Sequence, residues 1–173
     1  EDLASLGLCG RSRPGHFRGV LTVCCKLFNL TRCDVAVFGQ KDAQQVTLLE
    51  KMARELNMPV EIVRGPIARE PDGLAMSSRN AYLGREERRI APTLHQALRR
   101  GEILIEAEGE TDPAVVLEQM RAVIAVWDPI RRDYLEIVDR THLQPVARIE
   151  PGKVLLAGAV YLGKTRLIDN LEV

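Results

Sequence analysis

DVAVFG (34–39), running straight into QKDAQQ (40–45), is the stretch on which the fold turns. A short apolar run closed by glycine reads as a buried strand, and a helix follows almost at once. Lys41 to Asn57 carries Leu49, Met52, Ala53 and Leu56 on one helical face. Pro59 stops that helix, and Val60-Glu61-Ile62-Val63 reads as a second strand. Upstream, Val20, Val23, Cys24, Leu27 and Phe28 recur at the spacing of one amphipathic face, and the residues up to Pro14 read as loop. Helix, strand, helix, strand with short links is the pattern of a parallel α/β sheet.

Residues 64–84 show no period and are punctuated by Gly, Pro, Asp and Ser. A connection this long is a domain boundary or a functional loop. Beyond it the pattern changes. Residues 85–107 read as charged helix with Ile90, Leu94, Ala97 and Leu98 on one face. Asp112 as N-cap and Pro113 at the first helical position open a helix to about Val126, with Val116, Met120, Val123 and Ile124 inward. Three strands follow, 133–139, 153–162 and 165–173, and Gly163-Lys164 between the last two predicts an antiparallel hairpin. The second part is therefore α+β with a three-stranded antiparallel sheet.

The 173 residues carry 24 Lys and Arg against 24 Asp and Glu. A chain with no net charge has no global field to draw it to nucleic acid or an anionic membrane, so neither is expected as a partner. No apolar run approaches the roughly 18 residues of a membrane span, and the opening residues lack the pattern of a secretory signal. The four cysteines form no C-x-x-C pair and there are only three histidines, so no zinc or other protein-held metal site is expected. Cys24 and Cys25 read as buried free thiols, in keeping with a reducing cytoplasm. The Asn29-Leu30-Thr31 sequon reads as accidental without a signal peptide. That the chain opens on Glu1 rather than Met is read as a hint of truncation.

Four stretches could carry chemistry. In FGQKD with Gln45, a strand ends in Gly39 and a helix begins, which is where parallel α/β sheets receive anionic ligands. Lys41 could neutralise phosphate, Asp42 could accept from ribose or cap the helix, and Gln45, four residues beyond Lys41, would project from the same side of the first turn. The plainer reading is a strand–helix turn with an N-cap Asp and a surface Lys. In MSSRN (76–80), two hydroxyls and an Arg can hold a phosphoanhydride, or the segment is a Ser-rich turn before a helix. In RPGHFRG (13–19), His16 is an acid/base candidate, but capping of the Pro-Gly turn is the favoured reading. Gly158 to Thr165 fits the P-loop spacing G-x-x-x-x-G-K-[ST], yet its middle residues, Ala-Val-Tyr-Leu, belong in a strand and TRLIDNLEV is no phosphate-binding helix.

RPGHFRGV (13–20), KLFNL (26–30), DVAVFGQKDAQQ (34–45), DGLAMSSRN (72–80) and GKTRLIDN (163–170) stand in one order, and the chain closely resembles the pantothenate synthetase family over nearly its whole length. The resemblance implies the C-terminal half of a Rossmann-like nucleotidyltransferase domain over 1–67 and a small α+β lid domain over 68–173. It implies a cytoplasmic, AMP-forming ligase, homodimeric at full length, that condenses pantoate with β-alanine using ATP and Mg²⁺ through a pantoyl adenylate. By motif position, Gly39, Gln40, Lys41 and Asp42 resemble the ATP-binding turn, with Lys41 on phosphate and Gly39 and Asp42 on ribose. Ala68 resembles the backbone contact to adenine, and Met76, Ser77, Ser78 and Arg79 the mobile loop that takes adenine and phosphates. Lys41, Ser77, Ser78 and Arg79 are the implied catalytic residues, and Gln45 with Arg13 the implied pantoate ligands.

Three departures accompany the resemblance. Gln40 stands where the family commonly has Glu, and Ala43 where it often has an aromatic residue. The family's HxGH motif and the remaining Asn and Gln of its pantoate pocket do not occur in this sequence. The alternatives are another nucleotidyltransferase of the same fold, or a non-catalytic nucleotide-binding or interaction module. Because HxGH helps activate ATP in the family, residues 1–173 alone are expected to give no pantoate-dependent exchange of pyrophosphate into ATP. An exchange signal from this chain overturns that expectation.

Overall fold

Val35 pairs with Glu61 and Gly39 with Gly65, so that β1 (Val35–Gly39) and β2 (Glu61–Gly65) form a parallel two-stranded sheet. The structure, a computed structural model, describes residues 3–173. It divides into two compact units: one runs up to Pro66 and takes in Thr141–Gln144, and the other comprises Ile67–Arg140 and Pro145–Val173.

In the first unit, α3 (His16–Thr31) and α4 (Ala43–Glu55) pack beside the sheet. Their shared core is Cys24, Phe28, Leu49, Ala53 and Val60, with Phe28 edge-on to Phe38 of β1. Of the face expected for α3, Val20, Cys24 and Phe28 pack into this core, joined by Leu21, whereas Val23 and Leu27 are exposed. Phe17 is buried as well, in the first turn of the helix, which begins at His16 after Gly15 in the left-handed region. β1 is not the buried strand its composition suggests. Ala36 and Phe38 face the helices, but Val37 is 67% exposed, since only one face of this sheet is covered among the described residues.

Two further expectations change. The helix expected from Lys41 begins at Ala43, after a 3₁₀ turn over Gln40–Asp42. The opening is not plain loop: it holds two helical turns, α1 (Leu3–Leu6) and α2 (Cys9–Ser12). Buried Gln44 ties them down, its Nε2 donating to the carbonyls of Ala4 (2.8 Å) and Gly7 (2.9 Å) while its Oε1 accepts from the Cys9 N–H (3.0 Å).

In the second unit, β3 (Ile130–Asp139), β4 (Val154–Leu162) and β5 (Thr165–Glu172) form an antiparallel sheet with β4 in the centre. Helices α5 (Arg85–Ile90), α6 (Thr93–Glu106) and α7 (Pro113–Ala125) complete the unit. The single helical stretch expected over 85–107 breaks at Ala91-Pro92, where proline cannot donate a helical hydrogen bond. Asp112 caps α7, its Oδ1 accepting from the Ala114 N–H at 2.8 Å. Leu94, Leu98, Ile105, Met120, Leu156 and Val160 fill the core between helices and sheet. Among the described residues no helix is long and apolar enough to cross a membrane.

The P-loop spacing dissolves into a hairpin. Ala159 to Leu162 continue β4, Gly163 takes φ +54° at the first of two turn positions, and β5 returns antiparallel. Gly158 is glycine because α6 crosses there: a Cβ would lie 2.7 Å from Leu94 Cδ1 and 3.0 Å from Leu135 Cδ1. Valine is the better strand former, so in open space Gly158→Val would stabilise. Here overpacking is expected to cost about 1–3 kcal/mol in urea unfolding, and Leu94→Ala in the same chain to recover part of the loss. A stabilised Gly158→Val chain overturns this account.

Candidate functional site

The first group of candidate residues stands at the carboxyl end of β1. Gly39 has φ −71° and ψ 131°, ordinary extended backbone, and a Cβ built on it meets nothing within 4 Å. Neither conformation nor packing requires glycine there, so the position leaves room for another molecule to approach the backbone. Lys41 is half-buried and Asp42 exposed, both in the 3₁₀ turn. Asp42 holds the N-cap position of α4 but its side chain makes no capping hydrogen bond, contrary to the plainer reading. Gln45 lies half-buried in the first turn of α4. The shared-face argument for Lys41 and Gln45 does not transfer, because the 3₁₀ turn changes the periodicity between them.

Arg64, at the end of β2, organises this turn. Its Nε and one Nη donate as a fork to both carboxylate oxygens of Glu50 (2.7 and 2.6 Å). It also donates to Thr47 Oγ1 (3.0 Å) and to Gln40 Oε1 (3.1 Å). The Gln40 side-chain carbonyl is therefore turned toward Arg64. Glu50 balances the Arg64 charge in this cluster.

The second group lies in the other unit. Ala68 and Met76 are brought together by the Met76 N–H donating to the Ala68 carbonyl (2.9 Å), next to an antiparallel bridge between Arg69 and Ala75. The supposedly periodless segment is thus a small hairpin, closed by the Gly73 N–H donating to Glu70 (2.9 Å). Met76 and Arg79 emerge exposed from its end. Ser77 caps a 3₁₀ turn over Ser78–Tyr82, its Oγ accepting from the Arg79 N–H (3.2 Å). Asn80 Nδ2 donates to the Ala75 carbonyl (3.2 Å), and its buried Oδ1 has no partner among the described residues. Asp72 pairs with Arg88 of α5 at 2.5 Å, and that hydrogen bond holds the Asp72 carboxyl below its ordinary range.

Arg13 Nη1 lies 2.9 Å from His16 Nε2, and His16 packs on Phe17, so the histidine serves the turn before α3. Cys24 is buried and the other three cysteines are half-buried, all four as free thiols. Burial pushes the Cys24 thiol up. No cluster of three or more His, Cys, Asp or Glu among the described residues could hold a metal ion. Arg64, Arg69, Asn80 and Asp169 escaped the sequence reading as contributors. Asp169 and Asn80 do stand inside the quoted motifs TRLIDN and MSSRN, but Arg64 and Arg69 carry no local signal.

The profile of the family described as pantoate-beta-alanine ligase matches residues 2–172. A pantothenate synthetase of Moorella thermoacetica is 54% identical over 164 residues, covering 95% of this chain and 57% of the relative. One of Thermotoga petrophila is 52% identical over 98% of this chain and 60% of the relative. The crystal structure of a Thermus thermophilus pantothenate synthetase superposes with a TM-score of 0.94 at 40% identity, over 99% of this chain and 61% of that one. A Francisella tularensis pantoate-beta-alanine ligase, solved in complex with beta-gamma ATP and beta-alanine, superposes at 0.70 and 28% identity over 98% of this chain and 55% of that one. The chain spans about three fifths of the length of the curated relatives it matches. With the family profile running through both units, and through both groups of candidate residues, the chain belongs to the pantoate-beta-alanine ligase family.

Proposed function

We propose that this chain carries the nucleotide-handling residues of an enzyme that condenses pantoate with β-alanine, with MgATP as co-substrate. The observation that carries the reading is Gly39, which leaves open space at a strand end just before Lys41 and Asp42. In the proposed sequence a pantoate carboxylate oxygen attacks the α-phosphorus of ATP. The bond to the bridging oxygen breaks, and pyrophosphate leaves with its electron pair. The β-alanine amine then attacks the acyl carbon of pantoyl adenylate, losing a proton, and AMP departs.

Phosphoryl and acyl transfer of this kind need positioning and charge stabilisation more than covalent help from the protein. Lys41 supplies the cation for the leaving pyrophosphate. Gly39 and Asp42 take the ribose, the backbone at Ala68 the adenine, and Gln45 with Arg13 the pantoate. Ser77 and Ser78 offer hydroxyl donors and Arg79 a two-pronged fork for phosphate oxygens, as Met76 covers the base. Gln40 belongs to the same ATP-binding turn, where its side-chain carbonyl also accepts from Arg64. Mg²⁺ enters on the ATP phosphates. The reading includes a cytoplasmic homodimer for the full-length protein.

The test is AMP release from ATP that requires both pantoate and β-alanine, in the protein at the length its source makes. Lys41→Ala is expected to lower kcat by about 10²–10³-fold, as loss of one charge-stabilising group does elsewhere. Arg79→Ala is expected to raise the KM for ATP. AMP release that ignores pantoate, or a Lys41→Ala enzyme with wild-type kcat, sinks the reading.

A further inference from the structure

Asp169 of β5 is 4% exposed, yet it carries more polar contacts than any other carboxylate described above. Arg69 Nη1 donates to its Oδ2 at 2.7 Å and Nη2 to its Oδ1 at 2.9 Å, a two-pronged pair across 100 residues of sequence. Oδ1 also accepts from the Asn170 N–H at 2.8 Å. The same Arg69 Nη1 donates to the Gly73 carbonyl at 2.9 Å. Arg69 is thus bonded at once to the sheet and to the turn of the hairpin it belongs to. His95 of α6 presses on that turn: a Cβ on Gly73, at φ +92°, would lie 2.5 Å from His95 Cδ2. His95 Nδ1 faces Asp169 Oδ2 at 3.5 Å, buried and without an aligned hydrogen bond.

These contacts converge on one piece of chain. The hairpin is held by the Glu70 N–H to Leu74 (2.8 Å) and the Met76 N–H to Ala68 (2.9 Å), and Met76 is where it hands over to Ser77, Ser78 and Arg79. Its own backbone bonds are too few to define an orientation in water. A buried ion pair with both guanidinium prongs used does define one.

We propose that Asp169 is a positioning residue which, through Arg69, sets the backbone from Ala68 to Arg79 for nucleotide binding. The inference rests on the function proposed above for residues 76–79. It makes Asp169 act on ATP without touching it. Rigid placement matters because a shift of about 1 Å at a reacting group can cost on the order of a hundredfold in rate.

Asp169→Asn keeps the volume and removes the charge, and Arg69→Met, at a position 20% exposed, tests the same link from the other end should the first variant fold poorly. Amide hydrogen exchange on the full-length enzyme is the first readout. The Glu70 and Met76 amides are expected to exchange about tenfold faster or more, as loss of a charged pair implies. Amides of Leu156 and Val160 in β4 are expected to change far less. Equal acceleration at all four amides, or none at Glu70 and Met76, overturns the proposal.

The second readout is steady-state kinetics of the full-length enzyme, where both variants are expected to raise the KM for ATP about tenfold with kcat held within a few-fold. An unchanged KM overturns the nucleotide part of the proposal. Titration of the wild-type full-length enzyme with MgATP, followed at the amides of Ser77–Arg79, separates the two readings. No response there, with the exchange effect intact, leaves the Asp169–Arg69 strut standing and removes the assignment of the loop to nucleotide.

Discussion

Arg69 and Asp169 are a hundred residues apart in sequence, and their two hydrogen bonds, at 2.7 and 2.9 Å, tie the hairpin at 68–76 to strand β5. Two charges taken out of water in this way contribute little net stability as a pair. Removing one partner is another matter, since it leaves the other charge without its counter-charge. The interaction therefore enforces a geometry more than it adds to the folding free energy. The same hairpin packs its turn against His95, pairs Asp72 with Arg88, and hands over to MSSR at Met76.

The first unit solves the same problem with different means. Its turn at the end of β1 is held by the Arg64 fork, which joins Glu50 and Thr47 on α4 to Gln40 in the turn itself. In both units an arginine from outside the recognised motif bonds a residue within it, Arg64 the Gln40 side chain and Arg69 the Gly73 carbonyl. Arginine suits the task, because five donors in a rigid plane can bond several partners at once.

Legibility followed the range of the interactions. The hairpin at Gly163-Lys164, the Asp112 cap and the inward face of Val116, Met120 and Ile124 were readable because each depends on residues within a turn or two. The false P-loop was readable as a strand for the same reason. The buried reading of Val35 and Val37 failed because apolar composition records a preference for cover, not the presence of it. Periodicity counted from Val20 found Val20, Cys24 and Phe28 of the packed face of α3 but missed Phe17, which lies upstream of it. The start of α4 was misplaced because a 3₁₀ turn and an α-turn look alike in composition.

By itself, the amino-acid sequence determined the family, since FGQKD, MSSRN and TRLIDN stand in order at coherent spacing, and it determined the α/β and then α+β succession, since periodicity is a local property. Only the tertiary structure decided that Gln40 bonds Arg64, that Gly39 borders open space, and that Asp169 pairs with Arg69 a hundred residues earlier. The physical reason is one of range. Helix and strand preferences arise between neighbours in sequence, whereas the partner of a buried charge is chosen by whichever chain segment the completed fold brings within hydrogen-bonding distance.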